Sequence, residues 1–369
     1  MDPVQLISTG SSGSELIISA DALNLIKDEK RPVTVVSIIG PYRTGKSYLL
    51  NRLMGKSNGF ELGPTMEAKT KGIWFWKGDF PGQPKRCLIL LDVEGLSDAK
   101  KGDATHDLNL FVFALLASSV FIYNTKSTID ANALDGLHLA TKISDELLSN
   151  SEEEETFAQH FPDFIWAIRD HHLKLEIDGC PVTPNEYFNY CLKGKKGFGS
   201  KVANYNALRD AISNYFPNRD CFVFPPPTSD MEKMNYLDEL SDSELAPEFK
   251  KAADNFVAFV VNHAKPKLIK GTEIGGHAFS LMMQNYLESL LKKNISIQST
   301  YSFVVNAENR RALELAMEAV KKVLKEEISS LPISTETMTR YLNFCAKYAL
   351  YAKKFSFAFT LKLILKDNL

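Results

Sequence analysis

Several features are scarce in this sequence of 369 residues, and each narrows the class of protein to consider. Its five cysteines are scattered and no two have C-x-x-C spacing, so zinc binding and thioredoxin-like chemistry have little support. Sparse cysteine favours a reducing compartment. The net charge is only -2 and basic residues form short runs, such as 193–196, which we interpret as solvated loops. We therefore expect no nucleic-acid partner.

Targeting and membrane-spanning patterns are also missing. The first residues, MDPVQLISTG, lack a basic region followed by an apolar one, so we expect no signal peptide. No stretch reaches the ~18 uninterrupted apolar residues that a membrane helix needs. The final residues, KDNL, are not a prenylation box. The expectation is a cytoplasmic protein with no integral membrane segment and no prenylation signal.

Apolar periodicity, in contrast, is strong over most of the chain. The predicted strands are 33–39, 87–91, 120–124, 164–168 and 221–224, and the helices predicted among them are 48–54 and 108–118. After the prolines at 225–227 the pattern is helical over 249–263, 278–293 and 306–329. The sequence therefore predicts an α/β domain with a mainly parallel sheet flanked by helices, followed by an all-α domain.

The first predicted strand is followed by a complete phosphate-binding motif. Residues 40–47, GPYRTGKS, fit G-x-x-x-x-G-K-[ST] and open the first predicted helix. Glycines let successive backbone N–H groups turn toward phosphate oxygens, and the helix N-terminus adds a positive potential. Lys46 is predicted to reach the β- and γ-phosphates, and the Ser47 hydroxyl to ligate Mg²⁺. The motif predicts a nucleoside triphosphate site.

Acidic residues follow the second predicted strand, where a P-loop protein supports its metal ion. Asp92 ends that strand, and Glu94 is a candidate for orienting a water molecule. Gly95 has no Cβ, so its N–H can approach the γ-phosphate. Arg43, inside the loop, has two interpretations: a solvent-facing side chain or an arginine finger supplied in cis.

The identity of the base rests on a weaker pattern. Guanine offers two neighbouring donors that one carboxylate can accept, so guanine sites tend to hold an aspartate. The sequence has neither N-K-x-D nor T-K-x-D, and the strand end at 124–127, NTKS, lacks the aspartate. The candidate is Asp170, beside Arg169 at the end of the fourth predicted strand. An ordinary strand-end salt bridge is the alternative at this point.

Four sequence blocks together resemble one family. They are GPYRTGKS at 40–47, KTKGIW at 69–74, DVEGL at 92–96 and WAIRD at 166–170. The chain resembles the guanylate-binding proteins, interferon-inducible large GTPases of the dynamin superfamily with a G domain shared with the atlastins, over residues 1–330. The resemblance implies a large GTPase domain at 1–275 and a partial helical stalk domain at 276–369.

The resemblance also implies roles for individual residues. Arg43 corresponds to an internal arginine finger, Thr70 to the switch threonine that completes the Mg²⁺ shell, and Arg169-Asp170 to a guanine motif that replaces N-K-x-D. The implied catalytic residues are Arg43, Lys46, Thr70 and Glu94. The implied GTP-contacting residues are Gly40, Tyr42, Arg43, Thr44, Gly45, Lys46, Ser47, Tyr48, Asp92, Gly95, Arg169 and Asp170. The implied Mg²⁺ site consists of Ser47, Thr70 and, indirectly, Asp92.

Assembly and activity follow from the same resemblance. Family members pair head to head through their GTPase domains, so we expect a homodimer or a hetero-oligomer with related large GTPases, with residues 218–233 in the interface. The family implies GTP hydrolysis, in some members onward to GMP, and a role in innate immune defence.

Two departures from the family pattern keep alternatives open. Ala68 stands where the family often has a serine that helps position the attacking water, and a methyl group cannot hydrogen-bond water. The sequence also stops within the expected stalk, as in a splice product or an incomplete gene model. These features favour a GTP-dependent binding module with weak turnover, and the missing N-K-x-D weakly favours an ATP-using P-loop enzyme.

Overall fold

The structure is a computed structural model of the chain. It describes residues 1–10, 15–42, 44–56, 59–60, 72–94, 104–131, 133–135, 137, 161–230, 233, 240–241, 243–269, 271–292, 297–328, 334–336, 338–339 and 343. The chain divides into two compact units. The first contains Met1–Lys267 and Gly275–Ile297, and the second contains Leu268–Ile274 and Gln298–Leu369.

The first unit alternates strands and helices. Its strands are β1 (Val4–Thr9), β2 (Leu16–Ile18), β3 (Val33–Ile39), β4 (Ile73–Phe80), β5 (Gln83–Val93), β6 (Val120–Lys126), β7 (Asp163–Arg169), β8 (Glu176–Ile177), β9 (Cys180–Pro181) and β10 (Arg219–Val223). Its helices are α1 (Ala20–Lys27), α2 (Lys46–Leu53), α3 (Ala104–Ala117), α4 (Pro184–Cys191), α5 (Ser200–Tyr215), α6 (Pro247–His263) and α7 (Gly276–Leu291).

An eight-stranded mixed sheet forms the centre of this unit, in the order β10-β7-β6-β3-β5-β4-β1-β2. The five strands from β10 to β5 are parallel to one another, and β4, β1 and β2 continue the sheet with antiparallel pairings. The carboxyl ends of the parallel strands therefore meet at one edge. That edge is where α/β proteins bind ligands.

Alternate residues of the central strands face opposite layers of helices. Val36 and Ile38 belong to a buried cluster that includes residues of α2 and α6. On the opposite face, the Phe121 ring of β6 lies 5.2 Å from the Phe111 ring of α3. All seven residues of β3 are buried, as expected for a central strand covered on both faces.

The sequence-based fold class is confirmed: an α/β domain, its central sheet flanked by helices, precedes further helices. The parallel strands and α2, α3 and α6 match predicted elements, with shifts of a few residues at their ends. The sequence analysis missed the antiparallel part of the sheet and α1, α4 and α5. The strands missed there include β2, which has only three residues, and β4, whose apolar start is followed by Lys77, Gly78 and Asp79, so neither has a long apolar run.

A buried lysine fixes the C-terminal end of α3. Lys267 donates from Nζ to the carbonyl oxygens of Leu116 at 2.8 Å and Ser118 at 2.7 Å. These are acceptors that a helix end leaves unsatisfied. Burial lowers the pKa of Lys267 to about 7. The anchor matters for the site because the first turn of α3 carries His106, which lies beside Glu94.

Helix α7 belongs to the first unit, although the sequence analysis begins the helical domain at residue 276. It packs against α1 and α3. A methyl group on Gly276 would lie 1.8 Å from the carbonyl oxygen of Ile26, so this close approach requires glycine. The boundary between the two sequence-based domains stays a prediction.

The second unit contains a short antiparallel hairpin and a long helix. The hairpin pairs β11 (Leu268–Ile269) with β12 (Thr272–Glu273), and Gly271 at its turn has a φ of 76°. Helix α8 (Ile297–Ile328) starts at the last residue of the first unit. None of the helices in the described part of the chain combines the length and apolar character needed to cross a membrane.

Candidate functional site

The candidate site lies at the carboxyl edge of the parallel strands. The phosphate loop connects β3 to α2, as its position between a buried strand and a helical pattern predicts. Asp92 and Glu94 come from the end of β5, and Arg169 and Asp170 from the end of β7. The sheet order brings these groups to neighbouring strand ends.

Two glycines of the loop allow close approach of β6 and β7. Gly40 has a φ of 153°, and a methyl group there would lie 1.9 Å from the carbonyl oxygen of Asn124. Gly45 has a φ of 73°, and a methyl group there would lie 2.8 Å from Nη2 of Arg169. The buried Asn124 also donates from Nδ2 to the carbonyl oxygen of Thr44 at 2.9 Å. The end of β6 therefore packs against the phosphate loop and hydrogen-bonds to it.

Lys46 is folded back over its own loop. Only 7% of the residue is exposed, and Nζ donates to the carbonyl oxygens of Gly40 at 3.3 Å and Pro41 at 3.2 Å. Burial lowers the pKa of Lys46, and the nearby charges of Asp92 and Glu94 oppose that shift. A cation held in a buried loop by weak carbonyl contacts is suited to bind phosphate oxygens.

Ser47 and Asp92 form a short polar contact beside the phosphate loop. The Ser47 hydroxyl donates to Oδ2 of Asp92 at 2.6 Å. Asp92 is 1% exposed and pairs in register with Ile38 of β3. The hydroxyl at the start of α2 and the carboxylate at the end of β5 therefore converge, as the sequence predicts for a magnesium site.

Glu94 connects two segments that border the site. Its Oε2 accepts the backbone N–H of Gly72 at 2.8 Å, and its own N–H donates to the Gly72 carbonyl oxygen at 2.8 Å. His106 Nε2 lies 3.7 Å from the same carboxylate oxygen, and both side chains are 1% exposed. Glu94 thus anchors the residue that precedes β4 and also contacts α3.

Arg169 lies between the phosphate loop and Asp170. Its guanidinium group lies 4.8 Å from the ring centroid of Phe224 and 5.3 Å from that of Phe249, with only 5% of the residue exposed. Burial lowers its pKa to about 10, while Asp170 and Tyr48 act in the opposite direction. Among the described residues, Nη1 of Arg169 has no hydrogen-bond partner, so a buried donor is left over beside the loop.

Asp170 occupies a turn held by three strand ends. Its φ is 51°, a left-handed conformation, and its carboxylate is 4.0 Å from Nζ of Lys126. The N–H of Ser127, also left-handed, donates to the Arg169 carbonyl oxygen at 2.7 Å. His171 contacts the ends of two other strands. Its ring Nδ1 is 2.6 Å from the Ser127 carbonyl oxygen, and its backbone N–H donates to the Phe224 carbonyl oxygen at 3.0 Å.

The structure describes some of the other predicted site residues, and the rest lie outside the described residues. Thr44 donates from Oγ1 to the Pro41 carbonyl oxygen at 2.8 Å, Tyr42 is a half-buried turn residue, and the Tyr48 ring lies 5.5 Å from that of Phe249. Arg43, Ala68, Thr70 and Gly95 lie outside the described residues. Their predicted roles stay predictions.

The structure adds three residues that the sequence analysis did not assign. Asn124 braces the loop, His106 contacts Glu94, and His171 ties the Asp170 turn to neighbouring strands. None belongs to a spacing motif, so only the pairing of distant segments reveals them. Asn124 stood in the NTKS segment, which the sequence analysis judged only for its missing aspartate.

Fold and site together define a P-loop nucleotide-binding protein. A glycine loop joins a central parallel strand to a helix, its lysine is buried beside two carboxylates, and its serine contacts a strand-end aspartate. Residues 13–269 match the family model described as guanylate-binding protein, N-terminal domain. The chain belongs to the guanylate-binding protein family, a family of GTP-binding large GTPases.

Individual relatives agree with the family match. Guanylate-binding protein 4 of Homo sapiens is 35% identical over 352 residues, covering 93% of this chain and 54% of the relative. Guanylate-binding protein 1 of Chlorocebus aethiops is 35% identical over 342 residues, covering 90% and 57%. Guanylate-binding protein 3 of Homo sapiens is 36% identical over 334 residues, covering 88% and 56%. The chain thus spans little more than half the length of these relatives.

Proposed function

We propose that this chain binds GTP with Mg²⁺, hydrolyses it to GDP, and pairs through its GTPase domain when nucleotide is bound. The observation that carries the proposal is the contact of 2.6 Å between the Ser47 hydroxyl and the Asp92 carboxylate beside the buried Lys46. P-loop GTPases hold a triphosphate and its metal ion with this set of groups. The family membership supports GTP as the nucleotide.

The residues present fit a magnesium ion. Mg²⁺ prefers oxygen ligands and is usually held by one or two protein groups together with substrate phosphates. Ser47 and Asp92 supply a hydroxyl and a carboxylate, and the described residues contain no group of three His, Cys, Asp or Glu side chains that would bind a metal alone. When bound, Mg²⁺ would neutralise charge on the β- and γ-phosphate oxygens.

Hydrolysis would proceed by in-line attack of water on the γ-phosphorus. The bond from the γ-phosphorus to the β–γ bridging oxygen breaks, and negative charge spreads over the phosphoryl and leaving oxygens. Lys46 and Arg43, both in the phosphate loop, are proposed to stabilise that charge. Glu94 holds the backbone of Gly72, which follows the proposed switch residue Thr70 by two positions in the sequence.

Guanine recognition is assigned to Asp170. Its carboxylate is 29% exposed at the strand edge, so it can accept the two donors of guanine. The neighbouring Arg169 would contribute a hydrogen-bond donor. Its Nη1 has no partner among the described residues and could donate to a ligand oxygen. This arrangement favours GTP over the alternative of an ATP-using enzyme.

Pairing, cellular role and location rest on the family alone. Pairing as a homodimer or with related large GTPases, an interface near residues 218–233, a role in innate immune defence and a cytoplasmic location are all proposals of this kind. Onward hydrolysis from GDP to GMP is a proposal of the same kind. Because the chain covers only 54–57% of its relatives, activities of the whole relatives enter only as proposals.

One sequence feature favours a second candidate function. Ala68 has no hydroxyl with which to hold a water molecule, so the chain could act as a GTP-dependent binding module with weak turnover. In that case nucleotide binding and pairing persist, while phosphate release is slow.

Two assays separate these functions. Fluorescent GTP and ATP analogues measure base preference, and we expect tighter GTP binding; tighter ATP binding would rule out the proposal. Phosphate release at a low and a high protein concentration tests turnover linked to pairing. A specific rate that rises with concentration supports the GTPase, whereas bound GTP without release at either concentration leaves the binding module.

A further inference from the structure

A surface loop of the first unit presents a bare aromatic ring among lysines. Residues 193–201, KGKKGFGSK, comprise most of the connection between α4 and α5 and the first two residues of α5, and every one of them is exposed. Phe198 is 103% exposed, so neither face of its ring rests on the protein. The loop carries four lysines, Lys193, Lys195, Lys196 and Lys201, and no acidic residue occurs between Glu186 and Asp210.

Residues of α5 contact this loop at Lys195. Asn206 accepts the backbone N–H of Lys195 at 2.8 Å and donates from Nδ2 to the Lys195 carbonyl oxygen at 3.0 Å. The Lys195 ammonium lies 4.1 Å from the ring centroid of Tyr205. Arg209 ties the end of α4 to α5 by donating to the Cys191 carbonyl oxygen at 2.9 Å. The loop is therefore attached to α5 at Lys195, three residues before Phe198.

Helix α4, which leads into the loop, is also well defined. It begins with a reciprocal capping box between Thr183 and Glu186, and Pro184 occupies its first turn. Its last turn exposes Tyr190, 51% accessible. A second aromatic therefore stands three residues before the first lysine of the loop.

We propose that loop 193–201 docks on an anionic phospholipid surface. Single exposed apolar residues are ordinary on protein surfaces, but a protruding aromatic inside an uninterrupted basic segment matches both parts of such a surface. Lysine ammonium groups pair with anionic headgroups, and the phenylalanine ring enters the apolar boundary beneath them. The inference does not depend on the proposed GTPase function.

The exposure of the ring favours lipid over nucleic acid. A base-stacking platform presents one face of an aromatic ring whose other face is supported, whereas Phe198 is bare on both faces. Gly197, with a φ of 138°, and Gly199, with a φ of 111°, flank the ring and have no side chains to shield it. The ring can therefore insert without displacing neighbouring side chains.

Vesicle cosedimentation of the full chain tests the proposal. The probes are phosphatidylcholine vesicles with about 30% phosphatidylserine and vesicles of phosphatidylcholine alone. Phe198→Ser is expected to weaken binding to the anionic vesicles about tenfold. Lys193→Gln with Lys196→Gln is expected to weaken it about 25-fold, at about fivefold per lysine. Lys195 is left intact because it also contacts Tyr205.

Matched substitutions in α1 and just after it control for exposed apolar and basic residues in general. Leu25→Ser and the pair Lys27→Gln with Lys30→Gln change exposed residues of the same types in the same unit and should leave vesicle binding unchanged. Phe198→Trp should retain binding and shift its fluorescence to the blue on anionic vesicles. Unchanged thermal unfolding midpoints would show that the variants fold.

Specific outcomes would overturn the inference. Equal binding to neutral and anionic vesicles would mean that the loop is not the docking site. Losses of vesicle affinity in the Leu25 and Lys27/Lys30 control variants equal to those in the loop variants would mean the same. A Phe198→Ser variant with full vesicle affinity, together with competition by single-stranded RNA or polyglutamate, would identify a general anion-binding patch. A Phe198→Trp variant without a blue shift would exclude insertion of the ring.

Discussion

The proposed phosphate end and the proposed base end of the site are built in different ways. The phosphate end uses one continuous stretch, 40–47, and an acidic group from the adjacent strand β5. The base end is assembled from three strand ends, around Ser127, Asp170 and Phe224, and two of its residues have left-handed backbones. A local motif therefore specifies the first, whereas tertiary pairing specifies the second.

The two ends are physically connected. The Arg169 side chain, from the base-end motif, lies against Gly45 of the phosphate loop, and Asn124 of β6 donates to Thr44 of that loop. A substitution that disturbs either contact is expected to affect both ends. Only substitutions that leave both contacts intact can therefore change the rate of hydrolysis, triphosphate affinity or base preference separately. The predictions below use side chains outside these two contacts.

The largest effect is expected at the phosphate end, on chemistry. Arg43→Ala should lower kcat by about 10³ while GTP affinity changes little, because an arginine finger stabilises charge that develops in the transition state. Single-turnover phosphate release measures this, with a fluorescent GTP analogue for affinity. Arg43→Lys keeps the charge without the planar fork and should retain part of the rate. An unchanged rate in Arg43→Ala would refute the role.

Loss of the loop lysine should affect binding of any triphosphate. Lys46→Ala is expected to weaken GTP and ATP affinity alike, by at least about 100-fold, because charge-assisted contacts to phosphate are lost. Titration calorimetry with both nucleotides checks this. Lys27→Ala, at an exposed position of α1, is the control. A loss confined to GTP would place Lys46 at the base instead.

A smaller and more selective effect is expected at the base end. His171→Phe removes the side-chain contact to Ser127 and loosens the Asp170 turn, so GTP affinity should fall about tenfold with little change for ATP. KM should rise while kcat stays near its original value. His172→Phe is a close control, because His172 is the next residue and is exposed. Equal effects of the two substitutions would remove the positioning role of His171.

The smallest effect concerns the attacking water. Ala68→Ser should raise kcat by about 2- to 10-fold, the value of one added hydrogen bond in the transition state. Ala68→Gly adds no hydroxyl and should give no such gain. Multiple-turnover phosphate release compares the variants, and no gain from serine would mean that another group holds the water.

What could be predicted from the sequence follows the same division. The parallel strands are long apolar runs and the phosphate motif is contiguous, so β3, the loop and α2 were all predicted close to their observed bounds. The antiparallel strands β1 and β2 are short, and β4 is apolar over only part of its length, so they lack such runs. The roles of His171 and Asn124 depend on which strand ends are neighbours. That order is set by packing of the whole sheet, and no local spacing reports it.

The most direct test of the central claim exchanges the base-recognising group. Guanine offers N1–H and an amino group to the Asp170 carboxylate, whereas xanthine offers N1–H and a carbonyl oxygen, which suits an amide. We predict that the original chain prefers GTP to xanthosine triphosphate and that Asp170→Asn reverses the preference, with ATP affinity unchanged in both. If Asp170→Asn keeps its full GTP affinity and gains none for xanthosine triphosphate, Asp170 does not recognise the base and the assignment of the base end is wrong.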